Sequence, residues 1–183
     1  MDGRRLSPAL FLHEAAIRRG MELMMFAQSR FVRTADEKLA ELGLGRAHHR
    51  ALYFIGRKPD ITVGDLLDLL GITKQSLSRV MRDLLDRALV AVRHGENDRR
   101  NRLLRLTDEG RALEAALYEE QCARMADAYA YAGQEAVSGY WSVLEALIPD
   151  DARGAIVALT CQASSTPKFS PRDTPGSTTA ISR

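Results

Sequence analysis

Apolar residues recur along most of this chain at spacings of three, four and seven, the period of a helix with one covered face. Over residues 9–42 the set is Leu10, Ile17, Met21, Met24, Phe31, Ala35, Leu39 and Leu42. It predicts one helix of roughly 50 Å at 1.5 Å per residue. Gly20 is placed to bend that helix, and Gly43-Leu44-Gly45 to stop it. Shorter elements follow. Residues 46–57 carry Ala47, Leu52, Phe54 and Ile55 on a helical period, with Pro59 just beyond. Thr62 is a cap for a helix over 63–70, with Asp65 three positions on, and Gly71 ends it. Thr73 caps the next helix, which reaches about Ala88. Leu77, Val80, Met81, Leu84, Leu85 and Ala88 form its apolar stripe, and Lys74, Gln75, Ser78, Arg79, Arg82 and Asp86 its polar face.

The period then changes. Leu89-Val90-Ala91-Val92-Arg93 is rich in β-branched residues, 94–100 is polar with the turn formers Gly95 and Asn97, and Leu103, Leu104 and Leu106 alternate with charges. This reads as a hairpin with a charged tip. Thr107 caps a second long helix to about Gly133, with Asp108 and Glu109 favourably placed at its N-terminus. Leu113, Leu117, Met125, Ala128 and Ala132 line it. Helices over 135–148 and 150–162 complete the pattern. In residues 163–183, 13 of 21 positions are Ser, Thr, Pro or Gly, too little apolar surface to offset the entropy of ordering, so a disordered tail is expected.

Two helices joined by Gly71-Ile72-Thr73, followed by a hairpin, make a winged helix-turn-helix in a mainly α chain. The expected organisation is an N-terminal dimerisation helix (1–45), the winged module (46–107), C-terminal dimerisation helices (108–162) and the tail (163–183). The flanking helices hold more apolar stripe than the winged module can cover, including Trp141, Leu144, Leu147, Ile156, Val157 and Leu159. A homodimer would cover it, as would a monomeric bundle in which these helices pack only on each other.

Composition adds limits. The chain has 183 residues, of which 45% are hydrophobic, enough for a packed core. Its two cysteines, Cys122 and Cys161, are too few for a disulfide framework or a Cys-based zinc site, and both read as packed small side chains. No apolar run is long enough to span a bilayer and no signal peptide is evident, so a cytoplasmic protein with no membrane partner is expected. The formal charge is only +2, but residues 46–107 hold 13 bases against 7 acids, net +6. The remainder holds 13 against 17, net −4. A basic module within an acidic chain is the footprint of a polyanion partner.

Double-stranded DNA fits that footprint. Arginine pairs with guanine O6/N7 and glutamine with adenine N6/N7 through two hydrogen bonds, so Gln75, Ser76 and Arg79, in the first turns after Thr73, are the expected base readers. Lys74, Ser78 and Arg82 flank them, and hydroxyls near a helix N-terminus also suit phosphate. The hairpin offers Arg93, His94, Arg99, Arg100 and Arg102, and a guanidinium on a slim tip fits a narrow minor groove. Asp98 would hold an arginine rotamer rather than touch DNA. On residues alone, other readings stay open: a solvated polar helix face, a local surface ion pair, or a winged module that binds a partner protein, which would need no basic wing and basic helix together.

The stretch Asp98-Arg99-Arg100-Asn101-Arg102-Leu103-Leu104-Arg105-Leu106-Thr107-Asp108-Glu109-Gly110 resembles the Asp-x-Arg … Leu-Thr-x-x-Gly signature of the MarR family of bacterial transcriptional regulators. Leu66, Gly71, Thr73, Ser76, Leu77, Arg79 and Leu84 are similar to that family's helix-turn-helix. The resemblance covers about residues 10–162. It implies a homodimer with intertwined first and last helices, the helix from Thr73 in the major groove, Arg100 in the minor groove and Asp98 orienting it. It also implies a cavity between dimerisation helices and winged module for a small aromatic effector. Met21, Met24, Met25, Phe26, Tyr53 and Phe54 are candidates to line it, although a Met and aromatic stripe also suits plain core. Some family members sense oxidants through a cysteine near the start of the chain, and this sequence has none there.

No catalytic constellation, metal site or cofactor is expected. Gly43-Leu44-Gly45 is too short for a phosphate loop, and no His-Glu-x-x-His occurs. His48 and His49 are adjacent, so on a helix they diverge by about 100° and cannot readily share one ion. They are expected to be partly exposed near the dimer interface.

Overall fold

The computed structural model describes residues 13–94 and 102–150, together with 153, 154 and 159. The elements are α1 (Glu14–Glu41), α2 (Arg46–Arg57), β1 (Ile61–Thr62), α3 (Val63–Leu70), α4 (Lys74–Asp86), β2 (Val90–His94), β3 (Arg102–Leu106), α5 (Asp108–Ala132) and α6 (Gln134–Leu147). Most of the expected tip of the hairpin, the tail, and most of the helix expected over 150–162 lie outside the described residues.

Local chemistry sets the boundaries. His13 Nδ1 accepts the Ala16 N–H at 3.0 Å and so opens α1. The helix runs unbroken through Gly20 and ends before Gly43, whose φ of +63° suits glycine. Thr62 and Thr73 cap α3 and α4 by accepting the N–H three residues on, each at 3.1 Å. Gly71, at φ +61°, is the left-handed stop between them. Two strands were expected, and the sheet has three. β1 pairs with β3 through Ile61↔Leu104 and Thr62↔Leu103, giving the antiparallel order β1-β3-β2. Ile61-Thr62-Val63 carries the β-branched signal for that strand, masked by the helix starting at Val63.

The main core joins α2, α3, α4 and the sheet: Ala51, Leu52, Ile55, Ile61, Leu66, Leu77, Leu84 and Leu104 are among its buried members. A second, smaller core of Ala35, Leu39, Leu44 and Leu117 binds the end of α1 to α5. Lys38 and Glu120 pair across the same contact at 3.0 Å. The root of the wing is tied down twice. Thr107 donates its hydroxyl to the Ala88 carbonyl at 2.7 Å and caps α5 by accepting the Gly110 N–H at 3.0 Å. Gly110 lies directly over the backbone of Leu89, where a Cβ would stand 1.9 Å from the carbonyl oxygen. The Leu-Thr-x-x-Gly run is therefore the joint on which α5 meets the β2 entry.

Of the apolar positions expected along the first helix, Ala35 and Leu39 are buried, whereas Ile17, Met21, Met24 and Leu42 are exposed in the single chain. On α6, Trp141, Val143 and Leu147 are exposed as well.

Candidate nucleic-acid interface

The sequence of α4 separates its faces cleanly. Leu77, Val80, Met81 and Leu84 are buried, and this leaves Lys74, Gln75, Ser78, Arg79 and Arg82 exposed. Gln75 and Arg79, four residues apart, share one outer row. Lys74, Ser78 and Arg82 form a second row that borders a groove of about 490 Å³, whose far side is Val92, Arg102 and Leu104 of the wing. Two lanes of donors thus run along one helix, one facing outward and one facing the wing. Among the described residues, no carboxylate lies within 4.0 Å of Lys74, Arg79, Arg82 or Arg102, whereas Arg46, Arg105 and Arg111 elsewhere are all paired. A row of unpaired cations beside free helix-terminal amides is suited to phosphate and base edges.

Thr73 and Ser76 differ from the other expected contacts. Thr73 accepts the Ser76 N–H and donates its own proton to Ser76 Oγ at 2.9 Å. Their hydroxyls build the cap, and Ser76 keeps one donor free. Ser76 therefore belongs with the helix terminus rather than with the outer row of Gln75 and Arg79.

Toward the tip-side end of β2, Arg93 is half anchored: its Nε lies 4.0 Å from Asp60 Oδ1. Asp60 also takes Arg105 in a two-pronged bond, with Nε to Oδ1 at 2.6 Å and Nη2 to Oδ2. The bond from Arg105, with Arg93 nearby, holds the Asp60 carboxyl below its usual range. Asp60 adopts φ +66°, so this carboxylate is delivered by a left-handed turn after Pro59. Sequence reading passed over it, although a Pro-Asp pair before a strand is a turn signal. Arg93 and Arg102 thus stand at the tip-side ends of the two strands, while Asp98, Arg99 and Arg100 lie outside the described residues.

A cavity of about 580 Å³ lies behind the winged module, between α1, α2 and α5. Phe31, Val32, His49, Tyr53, Phe54, Tyr118, Cys122 and Tyr129 contribute to its wall. The expectation for this site needs correction. Of the six candidates, Tyr53 and Phe54 line it, whereas Met21, Met24, Met25 and Phe26 stand earlier on α1 and are exposed in the single chain. The wall residues missed are Phe31 and Val32 further along α1, His49 and Arg50 on α2, and the whole contribution of α5, which packs there only in the folded chain. Burial pushes the pKa of His49 below its ordinary 6.5, with the Asp36 carboxylate pulling the other way. A bond with Cys122 raises Tyr118. Cys122 is thus half-buried on a cavity wall rather than packed in core, and Cys161 lies outside the described residues. Both histidines are partly exposed, as expected. His48 is tied at both ring nitrogens, accepting the Gly45 N–H on Nδ1 and meeting Asp83 through Nε2, both at 3.1 Å.

Comparison with known proteins agrees with this geometry. The family model described as MarR family matches residues 42–101. The HTH-type transcriptional regulator PetP of Rhodobacter capsulatus is 48% identical over 139 residues, which cover 76% of this chain and 84% of that protein. Among solved structures, Streptococcus pneumoniae FabT in complex with DNA superposes with a TM-score of 0.64 at 18% identity, over 72% of this chain and 94% of the other. A mutant MarR of E. coli complexed with operator DNA gives 0.56 at 21% identity, over 75% and 99%. No helix among the described residues is long and apolar enough to cross a membrane. Its likeness to a curated regulator, joined to the winged fold and the exposed basic helix, shows that this chain belongs to the MarR family of DNA-binding transcriptional regulators.

Proposed function

We propose that the protein works as a homodimer on an inverted-repeat operator, and that it acts by binding, without catalysing a reaction. In this reading α4 enters the major groove. Gln75 and Arg79 read base edges, while Lys74, Ser78, Arg82 and the Thr73–Ser76 cap hold phosphates. Arg93, Arg99, Arg100 and Arg102 of the wing meet the minor groove and its phosphates, with Asp98 orienting Arg100, as the family motif implies. The observation that carries the reading is the row of exposed cations on α4, free of carboxylate partners among the described residues. The apolar faces of α1 and α6 support the dimer: Phe26 is 70% exposed and Trp141 51% exposed in the single chain, and a two-fold partner would cover them. Such a regulator acts in the cytoplasm, beside the chromosome. Selection of the purified protein against random duplexes is the test: an enriched inverted repeat supports the reading, and recovery of no motif at low salt refutes it.

The cavity supports a second element, response to a small aromatic effector. Its wall is mostly rings and aliphatic carbons, with His49, Arg50 and Gln121 among its polar groups, which suits a flat molecule bearing an anionic substituent. Tyr129 on that wall accepts a hydrogen bond from the indole of Trp141, the sole tryptophan, at 2.9 Å. Titration with salicylate should change Trp141 fluorescence and weaken operator binding together. Absence of both effects across a panel of simple aromatic acids would remove the effector from the account.

A further inference from the structure

His48 is the third residue of α2, and its ring joins two helices. Nδ1 accepts the backbone N–H of Gly45 at 3.1 Å, so that nitrogen carries no proton in this arrangement. The proton is therefore on Nε2, which donates to Asp83 Oδ2 at 3.1 Å. The cap at one nitrogen dictates the tautomer that the other nitrogen needs. The ring is held firmly, with its side chain only 14% exposed. Asp83 lies on α4, one residue after Arg82 and four after Arg79, beside the face that reads DNA.

The α2 and α4 helices also share the leucine core, but apolar contact is non-directional and resists rotation of a helix about its axis only weakly. A hydrogen bond to a fixed ring is directional. A rotation of about 20° would carry a side-chain tip, at the ~5–6 Å radius of a helix, by roughly 2 Å. That displacement breaks a two-bond contact to a base edge, which needs each bond within a few tenths of an ångström. A phosphate contact from a flexible lysine survives it.

We propose that His48 is a positioning residue for sequence readout: through Asp83 it fixes the rotation of α4 and with it the base preference of Gln75 and Arg79. The proposal rests on the reading of α4 as the DNA-reading helix. Glutamine at position 48 can replace both bonds, its carbonyl accepting from Gly45 and its amide donating to Asp83, whereas alanine can replace neither.

The test compares wild type, His48→Ala, His48→Gln, Asp83→Ala and the His48→Ala/Asp83→Ala double variant. Each is titrated by fluorescence anisotropy against the duplex selected by wild type and against the same duplex with one base pair changed in each half-site. Circular dichroism melts set a temperature at which every variant is folded. Asp83→Ala leaves the Gly45 cap intact, so it tests the strut without touching the start of α2. The expected result is a loss of at least about fivefold in preference for the selected duplex in each single alanine variant. The double variant should lose no more than either alone, because the two residues form one interaction. His48→Gln should stay within about twofold of wild type, and binding to random duplex at low salt should be unchanged throughout. Full preference in His48→Ala, equal loss in His48→Gln, or multiplying effects in the double variant would overturn the proposal. A wild-type protein that prefers no duplex would overturn the reading beneath it instead.

Discussion

Gly110 is decided by a single distance. A Cβ at that position would stand 1.9 Å from the Leu89 carbonyl oxygen, and that oxygen is fixed because it also accepts the Thr107 N–H at 3.1 Å. Gly110→Ala should therefore cost about 2–3 kcal/mol, read as a fall in the urea midpoint without a change in slope. The sequence motif made the glycine conspicuous, but only the backbone of Leu89, twenty-one positions earlier, explains it. His49 gives a prediction about pH. Burial keeps its folded pKa below 6.5, so the folded protein favours the neutral ring while the unfolded chain takes up a proton near that value. Stability from this group is complete above pH 6.5 and declines as pH falls through that value toward the folded pKa. Urea midpoints compared between about pH 7.5 and about pH 5.5 should drop in wild type and drop less in His49→Gln. An equal drop would assign the dependence elsewhere. The sequence could place His49 on a helix, but not on a cavity wall, because that wall is completed by α5, some seventy residues later.

Elements were legible where one residue sets the local hydrogen bonding. Thr62, Thr73 and Thr107 each precede a helix, and each accepts the N–H three residues on. Thr107 does more, since its hydroxyl also donates to Ala88 across the root of the wing. Thr107→Ala should lose about 1–2 kcal/mol of stability in thermal melts, and Thr107→Ser most of it should keep, since serine retains the oxygen. β1 escaped notice because two residues are too few to show a period of two, and its pairing depends on Leu103 and Leu104 far along the chain. The partition of α4 was fully readable, since its apolar stripe alone decides what stays outside. Which exposed residue faces the wing was not, because that depends on where β2 and β3 pack. Arg79, on the outer row, should be a base reader: Arg79→Ala should cost about 1–3 kcal/mol on the selected duplex and flatten base preference at one position per half-site. An unchanged motif after selection with that variant would place its side chain on phosphate.

At the scale of the molecule, two kinds of surface remain in the single chain. One is basic, on α4 and the wing; the other is apolar, on α1 and α6. The long first helix foretold the second surface, since its apolar positions outrun the small core of Ala35, Leu39, Leu44 and Leu117 that it reaches. Met24→Glu, at a position 48% exposed in the single chain, should leave the circular dichroism spectrum intact and halve the mass in light scattering. It should also abolish tight binding to an inverted repeat, and a dimeric variant would exclude this face from the interface. The cavity belongs to this scale too, because it exists only where three helices from distant parts of the chain converge. The central claim is that the exposed basic face of α4 binds duplex DNA. Anisotropy titrations of the selected duplex over a series of salt concentrations test it most directly, with wild type beside Lys74→Ala. The account predicts a linear fall of log affinity with log salt, and a slope shallower by about one when Lys74 is removed. An affinity indifferent to salt, or a slope that Lys74→Ala leaves untouched along with Arg79→Ala and Arg82→Ala, would contradict it.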